Sequence, residues 1–228
     1  MTIMWPDKVL PPQNVNFDIA PRTLAGPSSI SGYTQVVASD AGLWKATFGN
    51  VVVNRRDRVL TFRAIAVLLE GRLNPILVPR CHAYQPNPGN ADSLAPGFYD
   101  GVPHSDGTFF SDGTGYVGST FSATIRFNLA IRAVSLVLDI EAGGGTIQPG
   151  QDFSIGERMY RVRSVTYSSS ATATVAFRPP LREAVAAGTS VNFDKPVCRM
   201  RLASDDEMNL ELQLRRFGAP TVNFIEAL

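Results

Sequence analysis

Hydrophobic and polar residues alternate along most of this chain in short runs, a pattern typical of β-strands with one buried face. The clearest case is the segment from Phe153 to Phe193, where strands are predicted at residues 153–155, 159–165, 173–177 and 191–193. Residues 181–187 predict a short helical turn, because Pro180 suits a first helical position and Gly188 suits a helix end. The segment therefore predicts a compact β unit.

The same alternation predicts strands in the rest of the chain. They are expected at residues 15–19, 34–38, 43–53, 76–78, 120–127, 133–140, 198–202, 210–214 and 221–225. A Ser-Asp-Ala-Gly turn is expected at residues 39–42. Prolines punctuate residues 1–27, so an extended arm that reaches a neighbouring subunit is an alternative to the strand at residues 15–19.

One helix is predicted, from Arg55 to Gly71, because apolar residues recur there at steps of three or four. Gly71 is a favourable residue just after a helix end. The predicted apolar face comprises Val59, Phe62, Ile65, Ala66, Leu68 and Leu69.

Turn-forming residues dominate residues 84–118. Asp-Gly pairs begin at Asp100, Asp106 and Asp112, and Asp-Gly is a strong signal for a tight turn. The segment predicts a long, hairpin-rich excursion, and long loops within compact domains are usually functional. We expect a subunit contact there, with candidate residues Asp106, Phe109, Phe110 and Asp112.

Many short strands separated by turns favour a mainly β protein, a β-sandwich or small β-barrel with one amphipathic helix at about residues 55–71 and an excursion at about 84–118. Glycine and proline cluster at residues 143–150. A boundary there predicts a β-rich domain of residues 1–142, with the helix and the excursion, and a barrel-like module of residues 143–228. A single domain is the alternative.

The composition narrows the function classes. The formal net charge of +1 argues against an electrostatic nucleic-acid binder and a membrane-surface protein. No apolar run approaches the roughly 18 residues of a spanning helix, and the first residues do not resemble a secretory signal. Cys81 and Cys198 are therefore expected to be reduced and buried, and a structural disulfide is the alternative. Only three of the 21 basic residues are lysine, which favours protein interfaces or reflects arginine-rich codon usage.

No residue pattern predicts catalysis. Cys81 and His82 are adjacent and point to opposite faces in an extended segment. Three consecutive residues from His104 to Asp106 rarely form a catalytic triad. The six-residue Asp-Gly spacing does not match a calcium loop, and residues 143–145 lack the rest of a phosphate loop. The expectation is a protein without enzymatic activity, cofactor or metal.

Charged residues at alternate positions predict faces for subunit contacts. Arg161 and Arg163 are expected on one face of the strand at residues 159–165, opposite Tyr160 and Val162. Ordinary exposed sheet faces and a solvated acidic turn are the alternatives. The other candidate interface residues of this kind are Arg199, Arg201, Asp205 and Asp206.

Several segments resemble structural proteins of long-tailed bacteriophages. They are FSIGERMYRV, FRPPLREAVAAGTSVNF, CRMRL, GVPHSDGTFFSDGTGY and the block from LWKATF to LNPILVP. Together they lie within Leu43 to Leu228, and their features are structural rather than catalytic. The nearest family is the distal tail protein of siphophages, a component of the upper baseplate.

The resemblance implies that the N-terminal domain is belt-like, carries the helix and builds a hexameric ring. The ring would join the tail tube to the hub and to receptor-binding parts. Its partners would be further copies of the chain and the tube, hub and tape-measure proteins. DNA would only pass through the channel without specific binding, and no membrane would be involved. The protein would be made in the host bacterial cytoplasm and would reside in the tail tip of the virion. A tube or terminator ring would fit the same features.

Two hypotheses of other classes remain. A carbohydrate-binding β-sandwich would use Trp5, Trp44, Tyr99 and Tyr116 as stacking surfaces. A hydrolase would carry a loop-borne site at His104.

Overall fold

The computed structural model describes residues 3–28, 30–80, 85–86, 108, 111, 121–142, 146–169, 171–214 and 216–228. Contacts divide the chain into two compact units: unit 1 comprises Met1–Pro79 and Cys198–Leu228, and unit 2 comprises Arg80–Val197. These borders differ from the predicted boundary at residues 143–150. The last strands of the chain belong to unit 1 because they pair within its sheet.

The chain forms twelve strands and one helix within the described residues. In chain order they are β1 Ile3–Met4, β2 Pro12–Ser28, β3 Thr34–Val51, α1 Arg56–Leu69, β4 Ile76–Pro79, β5 Ser122–Ile125, β6 Ser135–Ala142, β7 Asp152–Ile155, β8 Arg158–Ser169, β9 Thr172–Arg178, β10 Ser190–Val191, β11 Val197–Leu202 and β12 Val222–Glu226. The predicted mainly β class is confirmed.

Unit 1 is built on a six-stranded sheet with the order β1-β4-β11-β12-β3-β2. Its core is aromatic. Trp5, Phe48 and Phe224 meet edge to face, with ring centroids 5.6 Å apart in each pair. This geometry is the favourable one for aromatic quadrupoles. Trp44, Ala46 and Phe48 are all buried, as their alternation predicts.

Helix α1 confirms the predicted helix but buries a narrower face. Phe62, Ile65 and Leu69 are buried, whereas Leu68 is 52% exposed. The helix ends at Glu70, which adopts the left-handed conformation, and Gly71 follows with a φ of 65°. The glycine predicted as the end signal therefore continues the left-handed turn, which glycine adopts at least cost.

Unit 2 contains the second sheet, with the order β10-β5-β6-β9-β8-β7. The sheet nearly closes into a barrel, because Ser154 of β7 and Asn192, next to β10, exchange two backbone hydrogen bonds of 2.9 Å. Closure protects strand edges from pairing with other chains. The interior is filled by apolar side chains, with Phe153, Tyr160, Phe177 and Phe193 among the largest.

The predicted alternation along β8 fails at Arg163. A register shift occurs between Val162 and Ser164, where β8 has one residue more than β9. Such a bulge moves all following side chains to the other face. Val165 therefore packs against the same core as Val162, although the alternation places Val165 on the opposite face.

Two predicted elements are absent from the described structure. Residues 181–187 form no helix, since Leu181 and Val185 pair through their backbones with Ala133 and Leu129 instead. A four-residue spacing of apolar residues suits either conformation, and the neighbouring segment decides between them. Residues 210–214 form no strand and make only an isolated bridge between Gln213 and Phe217.

Candidate interaction surfaces

The strands β2 and β3 form a long antiparallel ribbon. They pair from Pro12 and Val51 at the base to Ser28 and Thr34 at the far end. Strand β12 pairs with β3 only between Lys45 and Phe48. Within the described residues, the distal half of the ribbon therefore has no third strand. The turn predicted at residues 39–42 is instead a register irregularity within β3, opposite Ala20 to Arg22.

Apolar side chains are exposed on the distal half of this ribbon. Leu24 pairs across the strands with Val37, and the two are 75% and 58% exposed. Val36 lies on the opposite face and is also exposed, as are Ile30 and Tyr33 near the tip. An isolated two-stranded hairpin is marginally stable in water, and a long, apolar edge is a site for association. The distal ribbon is therefore a candidate interaction surface.

Arg161 is the first predicted interface residue, and its partner lies within the same unit. Its Nε donates to Oδ1 of Asp152 over 2.7 Å, and its Nη2 donates to Oδ2 over 3.3 Å. Arg80 donates from Nε to Oδ2 of the same carboxylate over 2.8 Å. The Asp152 side chain is only 2% exposed, so the two guanidiniums compensate a buried charge.

This three-residue cluster has a structural role in unit 2. Asp152 and Arg161 are cross-strand partners in β7 and β8. The backbone N–H of Arg80 donates to the carbonyl of Pro196 over 2.8 Å. The cluster thus anchors the barrel near the residues where the chain enters and leaves unit 2. Sequence reasoning missed Asp152 and Arg80, since neither spacing nor motif connects residues 72 positions apart.

Arg163, Arg199 and Arg201 do not join that cluster. Arg163 lies at the bulge of β8 and is exposed. Arg199 is half-buried and Arg201 is exposed, and they alternate in β11 with the buried Met200. Arg199 and Arg201 lie on one face of β11, as the alternating sequence pattern predicts. That this face forms a subunit contact stays a prediction.

Asp205 stabilises the turn after α1. Its Oδ1 accepts hydrogen bonds from the backbone N–H of Arg72 over 3.1 Å and from the Arg72 Nε over 3.3 Å. Both side chains are largely exposed. Asp206 is exposed, and its carbonyl accepts from the N–H of Asn209. Asp206 thus belongs to a local turn, whereas Asp205 connects this turn to Arg72, 133 positions earlier in the chain.

The remaining predicted interface residues lie outside the described residues: Asp106, Phe109, Phe110 and Asp112. The excursion at residues 84–118 falls largely outside them as well. So do Cys81, His82 and His104, whereas Cys198 is buried in β11.

The proposed stacking tryptophans of a carbohydrate-binding module are not on the surface. Trp5 and Trp44 are both 0% exposed. Trp5 donates from Nε1 to the carbonyl of Leu10 over 3.2 Å, and Trp44 packs edge to face on Phe17. Neither ring can stack on a sugar without opening the core, so the tryptophan-based form of this hypothesis is wrong.

Glu226 is a second buried carboxylate that sequence reasoning missed. Its Oε2 accepts the backbone N–H of Trp44 over 3.1 Å. The sequence does contain a signal for its burial, because Glu226 continues the alternation of Val222 and Phe224, which form the buried face of β12. A carboxylate in such a position needs a buried donor.

An open groove in unit 1 lies between the start of α1 and the loop at residues 212–217. Arginines and apolar side chains line it together: Asn54, Arg55, Arg56, Val59, Leu60, Arg63, Leu212, Arg216 and Phe217. Backbone hydrogen bonds in both directions between Val53 and Gly218, of 3.0 and 2.8 Å, place the loop beside the helix.

The described residues contain no group of three or more histidine, cysteine, aspartate or glutamate side chains arranged to hold a metal ion. Among the same residues, no helix has both the length and the apolar character needed to cross a membrane. No protein-family model matches the chain, and no curated protein matches it either.

Proposed function

We propose that this chain is a structural protein of a bacteriophage tail tip that assembles into a ring, most simply a hexamer. The observation that carries the proposal is the distal β2–β3 ribbon, with Leu24, Val36 and Val37 exposed on a hairpin that has no third strand among the described residues. Burial of these side chains against a neighbouring copy would remove apolar surface from water and stabilise the hairpin.

The geometry of a ring suits such a ribbon. A ring of identical subunits needs a contact between two different surfaces of the chain that closes by rotation. A projecting hairpin on one copy and a recipient surface on the next meet that requirement. The resemblance of the segments around residues 153–202 to siphophage distal tail proteins supplies the tail tip as the location. Tube, hub and tape-measure proteins are the proposed partners, and DNA passes through the channel.

The first test is the mass of the purified chain by light scattering, followed by negative-stain imaging of the same sample. The proposal expects a ring with an open centre and a mass of several subunits. A protein that stays monomeric at every concentration measured contradicts self-assembly through the ribbon.

A charged double variant then locates the contact. Leu24→Asp with Val37→Asp is expected to convert the ring into monomers, because two carboxylates would be buried without partners. The matched control is Val67→Asp with Ile131→Asp, two exposed apolar residues outside the ribbon. A ring that is lost in both variants, or in neither, argues against the ribbon as the contact.

A further inference from the structure

We propose that the groove between α1 and residues 212–217 binds an acidic, partly apolar segment of another protein. The groove presents four exposed arginines: Arg55, Arg56, Arg63 and Arg216. Within the described residues, none of the four makes a salt bridge. The inference concerns a surface other than the ribbon and does not depend on the ring.

The start of α1 concentrates positive charge that its own sequence does not balance. The N-cap residue is Arg55, and no side chain among the described residues caps the first helical turn. Serine, threonine, aspartate or asparagine is favoured at this position, and the helix dipole adds about half a positive charge there. Asp57 is the acidic residue of the first turn, against Arg55, Arg56 and Arg58 around it.

A carboxylate from a partner would compensate the positive charge at the start of α1 in two ways. It would accept paired hydrogen bonds from a guanidinium, and it would lie at the favourable end of the helix dipole. Of the nearby arginines, Arg58 is already held by the carbonyl of Val52 and by Oδ1 of Asn54. Departures from local rules without internal compensation are expected at functional sites.

The apolar part of the groove favours a peptide over a nucleic acid. Leu60 is 52% exposed and Phe217 is 51% exposed, and Val59 and Leu212 extend the same lining. Aliphatic side chains of a peptide can be buried here, whereas Phe217 is the one aromatic ring for base stacking among the described residues that line the groove. Single-stranded nucleic acids bind through several stacking platforms in a basic channel.

Backbone contacts fix the loop side of the groove. The N–H of Gln213 donates to the carbonyl of Phe217 over 2.7 Å, and the N–H of Phe217 donates back over 3.0 Å. A Cβ on Gly218 would lie 2.9 Å from Cδ1 of Leu210 and 3.0 Å from the carbonyl oxygen of Glu211. Glycine is therefore required for the close approach, and a preformed site loses less entropy on binding.

The experiment measures fluorescence anisotropy of a labelled peptide of alternating glutamate and leucine, titrated with the full chain. Three further probes accompany it: the same peptide with glutamine for glutamate, the same peptide with serine for leucine, and a single-stranded DNA oligonucleotide of equal charge. The proposal expects the glutamate–leucine peptide to bind most tightly, and more weakly as salt rises.

Variants connect the binding to the groove. Arg56→Glu with Arg63→Glu is expected to weaken binding at least about tenfold, which corresponds to about 1.4 kcal/mol. Arg126→Glu with Arg132→Glu makes the same charge change at two exposed residues outside the groove and is expected to leave binding within about twofold. Phe217→Ser is expected to weaken the leucine-containing peptide more than the serine-containing one.

Circular dichroism and light scattering of each variant verify that fold and mass are kept. Equal loss in both charge-reversal variants means that binding follows net charge alone and overturns the proposal. No binding of the glutamate–leucine peptide overturns it as well, and tighter binding of the oligonucleotide assigns the groove to nucleic acid instead. None of these outcomes bears on whether the chain forms a ring.

Discussion

The β8–β9 hairpin of unit 2 and the β2–β3 ribbon of unit 1 are the same kind of element with different surroundings. Both are long antiparallel pairs, and each contains two register shifts. In β8–β9, Tyr160, Val162 and Phe177 are buried in the barrel. In the distal ribbon, Leu24 and Val37 remain exposed.

The difference arises from what lies beside each hairpin. Strand β9 also pairs with β6, and the barrel interior covers one face of the pair. The distal part of β3 pairs, among the described residues, only with β2. Cross-strand contacts contribute well under a few kcal/mol, and burial supplies the rest. The barrel hairpin is thus stabilised within its own unit, whereas the ribbon would gain stability from a partner.

The largest expected effect comes from emptying the barrel core. Phe177→Ala should lower the free energy of unfolding by about 3–5 kcal/mol, because Phe177 is buried in the core. The centroid of its ring lies 5.6 Å from that of Phe153 and 5.2 Å from that of Tyr160. Urea denaturation of wild type and variant measures the difference. A loss below about 1 kcal/mol would show that the barrel is not packed as described.

Removal of the buried carboxylate should have the next largest effect. Asp152→Asn leaves Arg80 and Arg161 without their shared counter-charge, and we expect a loss of about 2–4 kcal/mol. The guanidiniums are about a quarter exposed, which lowers the expected loss. Asp205→Asn is the matched control at the exposed pair with Arg72, with about 0–1 kcal/mol. Similar losses of unfolding free energy in both variants would contradict the expected difference between the buried Asp152 and the exposed Asp205.

The free energy of unfolding should fall at alkaline pH because Tyr160 is buried in the barrel core. Burial raises the pKa of Tyr160 to about 12, against an ordinary value of 10.0, and the N–H of Arg182 donating to its oxygen offsets part of this effect. Because the raised pKa belongs to the folded state, its stabilising contribution is complete below pH 10.0 and is lost as pH rises through about 12.

The measurement for Tyr160 compares urea denaturation of wild type and Tyr160→Phe at pH values below and above 10. Wild type should lose about 1 kcal/mol more than the variant between about pH 9 and pH 11. Other groups that titrate in this range affect both proteins, so the difference isolates Tyr160. Parallel pH profiles would mean that the phenol is not buried in the folded state.

The smallest effect on stability is expected in the ribbon. Leu24→Ala or Val37→Ala should change the free energy of unfolding by less than about 0.5 kcal/mol at concentrations where the chain is monomeric, because both side chains are already exposed. At concentrations where copies associate, the same variants should lower the mass measured by light scattering. Large destabilisation of the monomer would place these side chains in an internal contact, like those of β8 and β9.

The helix and most strands follow from local patterns. The period of Phe62, Ile65 and Leu69 predicts α1, and the alternation of Trp44, Ala46 and Phe48 predicts a buried face of β3. The failures occur where a neighbouring segment competes with local propensity. Residues 181–187 pair with residues 129–133 rather than forming a helix. The bulge at Arg163 changes the face of the β8 side chains from Ser164 as far as the second register shift, after Tyr167.

The candidate sites were less predictable than the fold. The sequence predicts a role for Arg161 but not for its partners Asp152 and Arg80, because ion pairs between distant residues leave no spacing signal. The groove at α1 combines residues 54–63 with residues 212–217, two segments with no shared motif. The start of α1 does offer a local signal, because Arg55 occupies the N-cap position, where serine, threonine, aspartate or asparagine is usual.

Local side-chain patterns are enough to predict a mainly β protein with one helix, because side-chain periods of 2.0 and 3.6 are local properties of the backbone. Which apolar faces are covered depends instead on contacts between distant segments. Strands β11 and β12 pair in the same sheet as β1, β2 and β3, and the other sheet nearly closes where Ser154 pairs with Asn192. The distal ribbon has no third strand among the described residues. Pairing between distant strands depends on backbone hydrogen bonds that every residue except proline can make, so no side-chain pattern specifies it uniquely.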